Sequence, residues 1–309
     1  MENSNRIIIG RVLKVAIVLI AALMLLLALR KFLANEEAID LLVFNARENS
    51  GGLLLIVLLL PLNWFLETAK WKRLIAVAEK ISWPQAWSAV LAGLAIGSAT
   101  PNRIGEFAGR IFQLKQTPVR DGIVFTLVSS MMQVLVTVGF GIAGLLMTDP
   151  DKYLHSGKAF IWTVAAVGII CIGLAYLKSS RGKIAEYFSA FRMIEGTVLR
   201  DVLILSAVRY MVYSLQFYLM LKICGVEASA MDLCWAIAVN YLVVTIVPSV
   251  IFSEMIVRGT VATGVIGGLC GNPGAAALAA LLLWMINVGV PAAIGLFFVK
   301  NISFFGRKP

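Results

Sequence analysis

Thr100-Pro101-Asn102-Arg103-Ile104-Gly105-Glu106-Phe107-Ala108-Gly109-Arg110 interrupts an apolar region with two arginines, a glutamate and a proline. Charge at membrane depth is costly, so it persists only where it lines a cavity, meets a partner or performs a task. Pro101 lacks a backbone donor and disfavours helical backbone at the residue before it, so it marks a break. As a helix, the run before it, 85–99, covers roughly 22 Å, short of a hydrocarbon core of about 30 Å. The run after it, Arg103 to Leu114, is shorter still and leads into Lys115 and Arg120. Two short helices around a break predict a re-entrant hairpin over 85–114, which a bilayer tolerates only where protein or water surrounds the open backbone.

Composition supplies the bilayer. Hydrophobic residues make up 60% of the 309 and charged residues 14%, against about 25% charged in soluble domains. Apolar runs recur along the whole length and leave no room for a soluble catalytic domain of the usual size. The expected fold is an all-α polytopic membrane protein, one integral domain over 1–309 with about six transmembrane helices and two re-entrant helical hairpins. Leu13 to Leu29 is long enough to be a retained span, and no small-residue cleavage site follows it. Cys171, Cys224, Cys234 and Cys270 lack metal-ligand spacing and read as packing residues. The net charge of +10 forms no like-charge block or basic-aromatic stripe, so nucleic acid is not an expected partner. No metal or cofactor is expected, and His155 has no partner in sequence.

Outward from the hairpin, Gly51 to Leu66 is an apolar run ending in Asn63, Glu67, Lys70, Trp71, Lys72 and Arg73. That end reads as a membrane–water interface, with Asn63, Glu67 and Trp71 as anchors. Gly122 to Met147, Ala159 to Leu177, Val202 to Leu221 and Ala275 to Val299 read as spans, the third carrying Arg209 near its cytoplasmic end. Residues 233–247 and Ser253 to Ile266 flank Pro248 and predict a second hairpin. The chain then divides into an N-terminal span and linker (1–50), a first repeat (51–147) containing hairpin 85–114, and a connecting span and cytoplasmic loop (148–200). A second repeat (201–299) containing hairpin 233–266 and a cytoplasmic tail (300–309) follow. Two hairpins put seventeen Lys and Arg on the cytoplasmic side with both termini, six outside, and Arg103, Arg110, Arg209 and Arg258 within the membrane region. A plain crossing at 85–99 would instead move the five cations of the 178–200 loop outside, against the positive-inside rule.

The second half repeats the first. Pro101, Glu106 and Arg110 have counterparts in Pro248, Glu254 and Arg258, with the prolines 147 positions apart. Shifted by that amount, the flanking runs of the first half fall on spans of the second, and the two hairpins open from opposite sides. Such an inverted-topology repeat places a substrate site near the midplane. Each returning helix would start at depth, near Asn102 and near Ser253, presenting backbone N–H groups and the positive end of a dipole. Arg103, Arg110, Arg209 and Arg258 would add guanidinium groups suited to two-pronged phosphate binding. Glu106 and Glu254 could neutralise these arginines or take the cationic part of a headgroup. Two simpler readings stand beside this: a Glu and an Arg four apart on a helix can pair with each other, and Arg209 can snorkel to the interface.

Pro101-Asn102-Arg103-Ile104-Gly105-Glu106, followed by Arg110 and Leu114, resembles the Pro-x-Arg-x-Gly-Glu-x-x-x-Arg signature of the lysylphosphatidylglycerol synthetase transmembrane region, or flippase-like domain, family. Asn63-Trp64 with Trp71-Lys72-Arg73-Leu74 resembles the end of an early helix of that family, and the span order is similar over most of the chain. The second hairpin departs from it, with Pro248-Ser249-Val250-Ile251-Phe252-Ser253-Glu254 in place of a Gly-rich approach. The resemblance implies a multi-pass protein of the bacterial cell inner membrane that moves a lipid or lipid-linked group between leaflets. In its best-known members a soluble aminoacyl-transferase domain follows, and no stretch of these residues has the composition of one, so enzyme activity is not expected.

The leading expectation is therefore a lipid flippase that carries an anionic, phosphate-bearing lipid through a central polar cavity. Membrane lipids would be its partners, and self-association as a homo-oligomer is compatible with the chain. An intramembrane lipid transferase is the first alternative. It usually needs clustered carboxylates or histidines around a metal, and the chain has one histidine. A non-transporting scaffold for a partner enzyme is the second.

Overall fold

The computed structural model describes residues 45, 47–98, 100, 103–148, 189–247, 251–270 and 272–299, without the side chains of 251–253, 269 and 270. The expected spans Leu13–Leu29 and Ala159–Leu177, and the break residues Pro101, Asn102 and Pro248, lie outside that set. Among the described residues there are nine helices and no strand. They are α1 (Ser50–Ile75), α2 (Trp83–Ser98), α3 (Gly105–Ile111), α4 (Val119–Met147), α5 (Gly196–Ile223), α6 (Ala230–Ile246), α7 (Ile251–Cys270), α8 (Pro273–Trp284) and α9 (Val290–Val299). A π-helical turn, Met285–Gly289, joins α8 to α9.

Four segments are long and apolar enough to cross a membrane: Ser50–Ile75, Val119–Met147, Gly196–Ile223 and Pro273–Val299. Leu54, Leu58, Leu135, Leu146 and Phe297 stand exposed on them. A surface of this kind suits hydrocarbon rather than water, and the chain is a multi-pass membrane protein. Inside, α5, α6 and α8 share a core around Phe217, Leu221, Leu233, Ile237, Ala276 and Ala279. A second core joins α1, α2, α4 and α5 through Trp71, Leu74, Val90, Phe125 and Val202.

The packing partners form a pattern. α1 packs on α5, α2 on α3 and α9, and α6 on α4 and α7. The α2–α3 contact is built by two Gly-x-x-x-Gly spacings, Gly93 with Gly97 and Gly105 with Gly109. A Cβ on Gly109 would fall on the backbone of Gly93, and one on Gly105 would fall on the carbonyl of Ile96. Small residues at this spacing let two backbones approach closely, which is how helices associate where no water drives them together. Thr100 fastens the corner: its hydroxyl accepts from the Gly105 N–H at 2.7 Å and faces the Ile96 and Gly97 carbonyls at 3.2 Å.

Two expectations change. Asn63 and Trp71 are not surface anchors: α1 continues as one 26-residue helix, and Asn63, Lys70 and Trp71 are buried against its neighbours. Positions 63, 67, 70, 71 and 74 fall on one face at helical spacing, so this polar face turns inward while the apolar face turns to lipid. The arms after the two breaks are also unequal, since α3 has 7 residues and α7 has 20.

Beyond the end of α1, Glu79 in the following loop clamps the turn after α3. Its carboxylate accepts from the Lys115, Gln116 and Thr117 N–H groups at 2.8–3.2 Å and from the Thr117 hydroxyl at 3.1 Å. Burial alone would raise the pKa of Glu79, but these hydrogen bonds to the charged form outweigh it and hold the carboxyl below its ordinary value.

Candidate functional site

A cavity of about 290 Å³ opens among α1, α2, α3, α4, α5, α6, α7 and the π-helical turn. Its wall carries Arg103, Arg110, Arg209, Arg258 and Lys70 beside Glu67 and Glu106. Glu254 stands directly behind, bound to two of these arginines.

The charges form one continuous chain. Arg258 donates to Glu254 Oε1 through Nη2 at 3.0 Å and Nε at 3.1 Å. Glu254 Oε2 lies 3.7 Å from Arg103 Nε, which lies 3.3 Å from Glu106 Oε1. Glu106 Oε2 is 3.6 Å from Arg110 Nη2, whose nearer partner is Glu67 Oε1 at 2.8 Å. Glu67 Oε2 then meets Lys70 at 3.2 Å and Arg209 at 3.4 Å. Gln133 on α4 completes this end, its Oε1 accepting from Lys70 at 3.1 Å and from Arg209 at 3.3 Å.

Formal charge decides what such a chain can do. Five cations face three carboxylates, which leaves an excess of two positive charges around the cavity. Low dielectric strengthens every pairing but also makes an uncompensated charge expensive. The excess therefore favours an anion that brings several acceptor oxygens, and guanidinium groups bind phosphate or carboxylate in that way. Arg110 is held for this geometry: its side chain is 3% exposed and its guanidinium lies 5.9 Å from the Trp71 ring. Arg103 is the non-glycine residue with positive φ among those described, at 56°. L-residues rarely hold that backbone, and such outliers concentrate at functional sites.

The opposite wall is aromatic and amide-lined. Tyr213 and Tyr241 stack at 5.2 Å, with Tyr210 edge-on to Tyr241 at 5.9 Å. Asn287 sits in the π-helical turn, a distortion frequent at functional sites. Its Nδ2 donates to the Leu283 carbonyl at 3.2 Å, so its Oδ1 faces Asn63, which donates through Nδ2 at 2.6 Å. The carbonyl can only accept, so this chain fixes both amide orientations. Among the described residues no group of three His, Cys, Asp or Glu could hold a metal ion.

Of the residues expected at the site, Arg103, Glu106, Arg110, Arg209, Glu254 and Arg258 are brought into this single network. Asn102 and the Ser253 side chain lie outside the described residues. Arg209 reaches Glu67 and Gln133 instead of snorkelling. Glu67, Lys70 and Gln133 are the members that sequence reasoning missed. The helical spacing of Asn63, Glu67, Lys70 and Trp71 was the available signal for the first two.

Residues 11–295 match the family described as Lysylphosphatidylglycerol synthase TM region, and the chain belongs to that family. No curated protein matches it.

Proposed function

We propose that this member of the Lysylphosphatidylglycerol synthase TM region family moves an anionic, phosphate-bearing lipid between leaflets. The headgroup would enter the cavity while the acyl chains stay in lipid. The observation that carries this reading is the chain of arginines and carboxylates running from Arg209 to Arg258 around a cavity at the centre of lipid-facing helices. Its excess positive charge suits a phosphate, and its walls come from both halves of the chain.

On this reading α2–α3 and α6–α7 are re-entrant hairpins of an inverted repeat. The pairings support it, because α2 of the first half packs on α9 of the second while α6 of the second packs on α4 of the first. Two-fold exchange of this kind follows when two like units face each other. Rocking of one unit against the other would expose the site to each leaflet in turn. The protein acts without a catalytic step, in a bacterial inner membrane with both termini cytoplasmic and lipids as partners.

Reconstitution with fluorescent lipids tests the proposal. Arg103→Gln, Glu106→Gln and Arg110→Gln should each abolish translocation while the protein still inserts and purifies. Wild-type rates in all three variants would remove the assignment.

A further inference from the structure

We propose that Glu67 is an internal counter-ion that the phosphate of an incoming headgroup displaces, an inference that rests on the translocation reading above and deepens it. Glu67 gathers three cations, Arg110 at 2.8 Å, Lys70 at 3.2 Å and Arg209 at 3.4 Å. Arg110 belongs to α3 and Arg209 to α5, so one carboxylate on α1 ties three helices together at the cavity wall. A phosphate offers the same acceptor chemistry with an additional oxygen, and two anions cannot hold the same cations without mutual repulsion. Headgroup entry therefore exchanges one acceptor for another and releases α3 and α5 from α1.

The surrounding groups accommodate that exchange. Gln133 accepts from both Lys70 and Arg209, so these two cations keep their orientation when Glu67 turns away. Arg110 and Arg209 each retain a buried Nε with no hydrogen-bond partner, a donor that Glu67 leaves unused. The Trp71 ring remains against the Arg110 guanidinium whichever acceptor is bound.

The sign of one measurement separates this role from a purely structural one. A carboxylate that only positions the cations would, when removed, loosen them and weaken anion binding. A competing counter-ion would, when removed, strengthen it. Calorimetric titration with dihexanoyl phosphatidic acid, and in parallel with inorganic phosphate, reads the difference on wild type, Glu67→Gln, Glu67→Asp and Arg110→Gln. Glu67→Gln should bind the lipid phosphate about tenfold tighter, the scale of one pKa-unit-sized interaction removed. Glu67→Asp, which keeps the charge but withdraws it by one methylene, should fall between Glu67→Gln and wild type and carries the test if the glutamine variant fails to fold. Arg110→Gln should bind more weakly than wild type. Tightening for the lipid phosphate beyond that for inorganic phosphate supports a lipid occupant, and equal tightening supports the counter-ion with free phosphate as the source. Unchanged or weaker binding in both Glu67 variants, with binding lost in Arg110→Gln, overturns the counter-ion and leaves the translocation reading standing. Absence of binding to either probe in every protein overturns both.

Discussion

Arg110 and Arg258 each follow a glutamate by four residues, yet they finish in different company. Arg258 keeps its own helix's Glu254 through two hydrogen bonds, at 3.0 and 3.1 Å. Arg110 stands 3.6 Å from Glu106 and instead binds Glu67 of α1 at 2.8 Å. The two helices are also held at different points. α3 is locked onto α2 by two glycines whose Cβ atoms would strike backbone, whereas α7 is pinned to the start of α8 at Gly267, whose Cβ would strike Pro273, and open at Gly264, where a Cβ would meet nothing within 4 Å. Identical local spacing thus yields an arginine that reaches across to another helix in one half and one that keeps its own helix's glutamate in the other.

Arginine removal is the largest test of that contrast. Arg258→Gln leaves Glu254 with one cation of the network, Arg103 at 3.7 Å, and should destabilise by about 3–5 kcal/mol, as breaking a buried pair does. Arg110→Gln should cost about half as much, because Lys70 and Arg209 stay within 3.4 Å of Glu67 and Arg103 within 3.3 Å of Glu106. Thermal unfolding in detergent compares them, and equal losses would break the contrast. Alanine at glycine comes next: Gly109→Ala should destabilise by about 1–3 kcal/mol through overpacking. Gly264→Ala should stabilise by up to about 1 kcal/mol, since alanine is the better helix former. A shared sign would mean that Gly109 and Gly264 sit in like surroundings.

The links to the following helix sharpen the comparison further. In the first half Glu79 holds the 115–117 turn, and Glu79→Gln should cost about 1–2 kcal/mol at neutral pH through weakened hydrogen bonds. Because the folded carboxyl lies below its ordinary value, that contribution is complete above the unfolded pKa of about 4.3 and is lost as pH falls through the lower folded one. Unfolding curves of wild type and Glu79→Gln should converge as pH falls below that lowered folded value, and a constant gap on acidification would show that the clamp does not depend on the ionised carboxylate. In the second half the link is a helix cap, with Asn272 Oδ1 accepting from the Ala275 N–H at 3.1 Å. Asn272→Ala should cost about 1 kcal/mol, independent of acid pH.

Much of the site was legible in the sequence because charge inside apolar runs is rare. Arg103, Glu106, Arg110, Glu254 and Arg258 stood out on that ground and are joined in one network. Glu67 was read as an interface anchor and Lys70 was given no place in the site, because they follow an apolar run that had already reached span length. Charges there read as the exit to water. Only the continuation of α1 to Ile75, with its polar face turned toward Arg110 and Arg209, brings them inside. Gln133 carried no signal at all, since a lone amide in a long apolar helix becomes meaningful only beside the cations that face it.

By itself the sequence determined the all-helical membrane class, the positions of the described spans and the break near Pro101, because apolar length, charge cost and proline geometry act locally. Tertiary structure alone decided which acceptor each cation takes. Partner choice depends on which helix faces reach one another, and Arg110 prefers a glutamate 43 positions away to the one on its own helix because α1 and α3 turn those two faces to the same cavity.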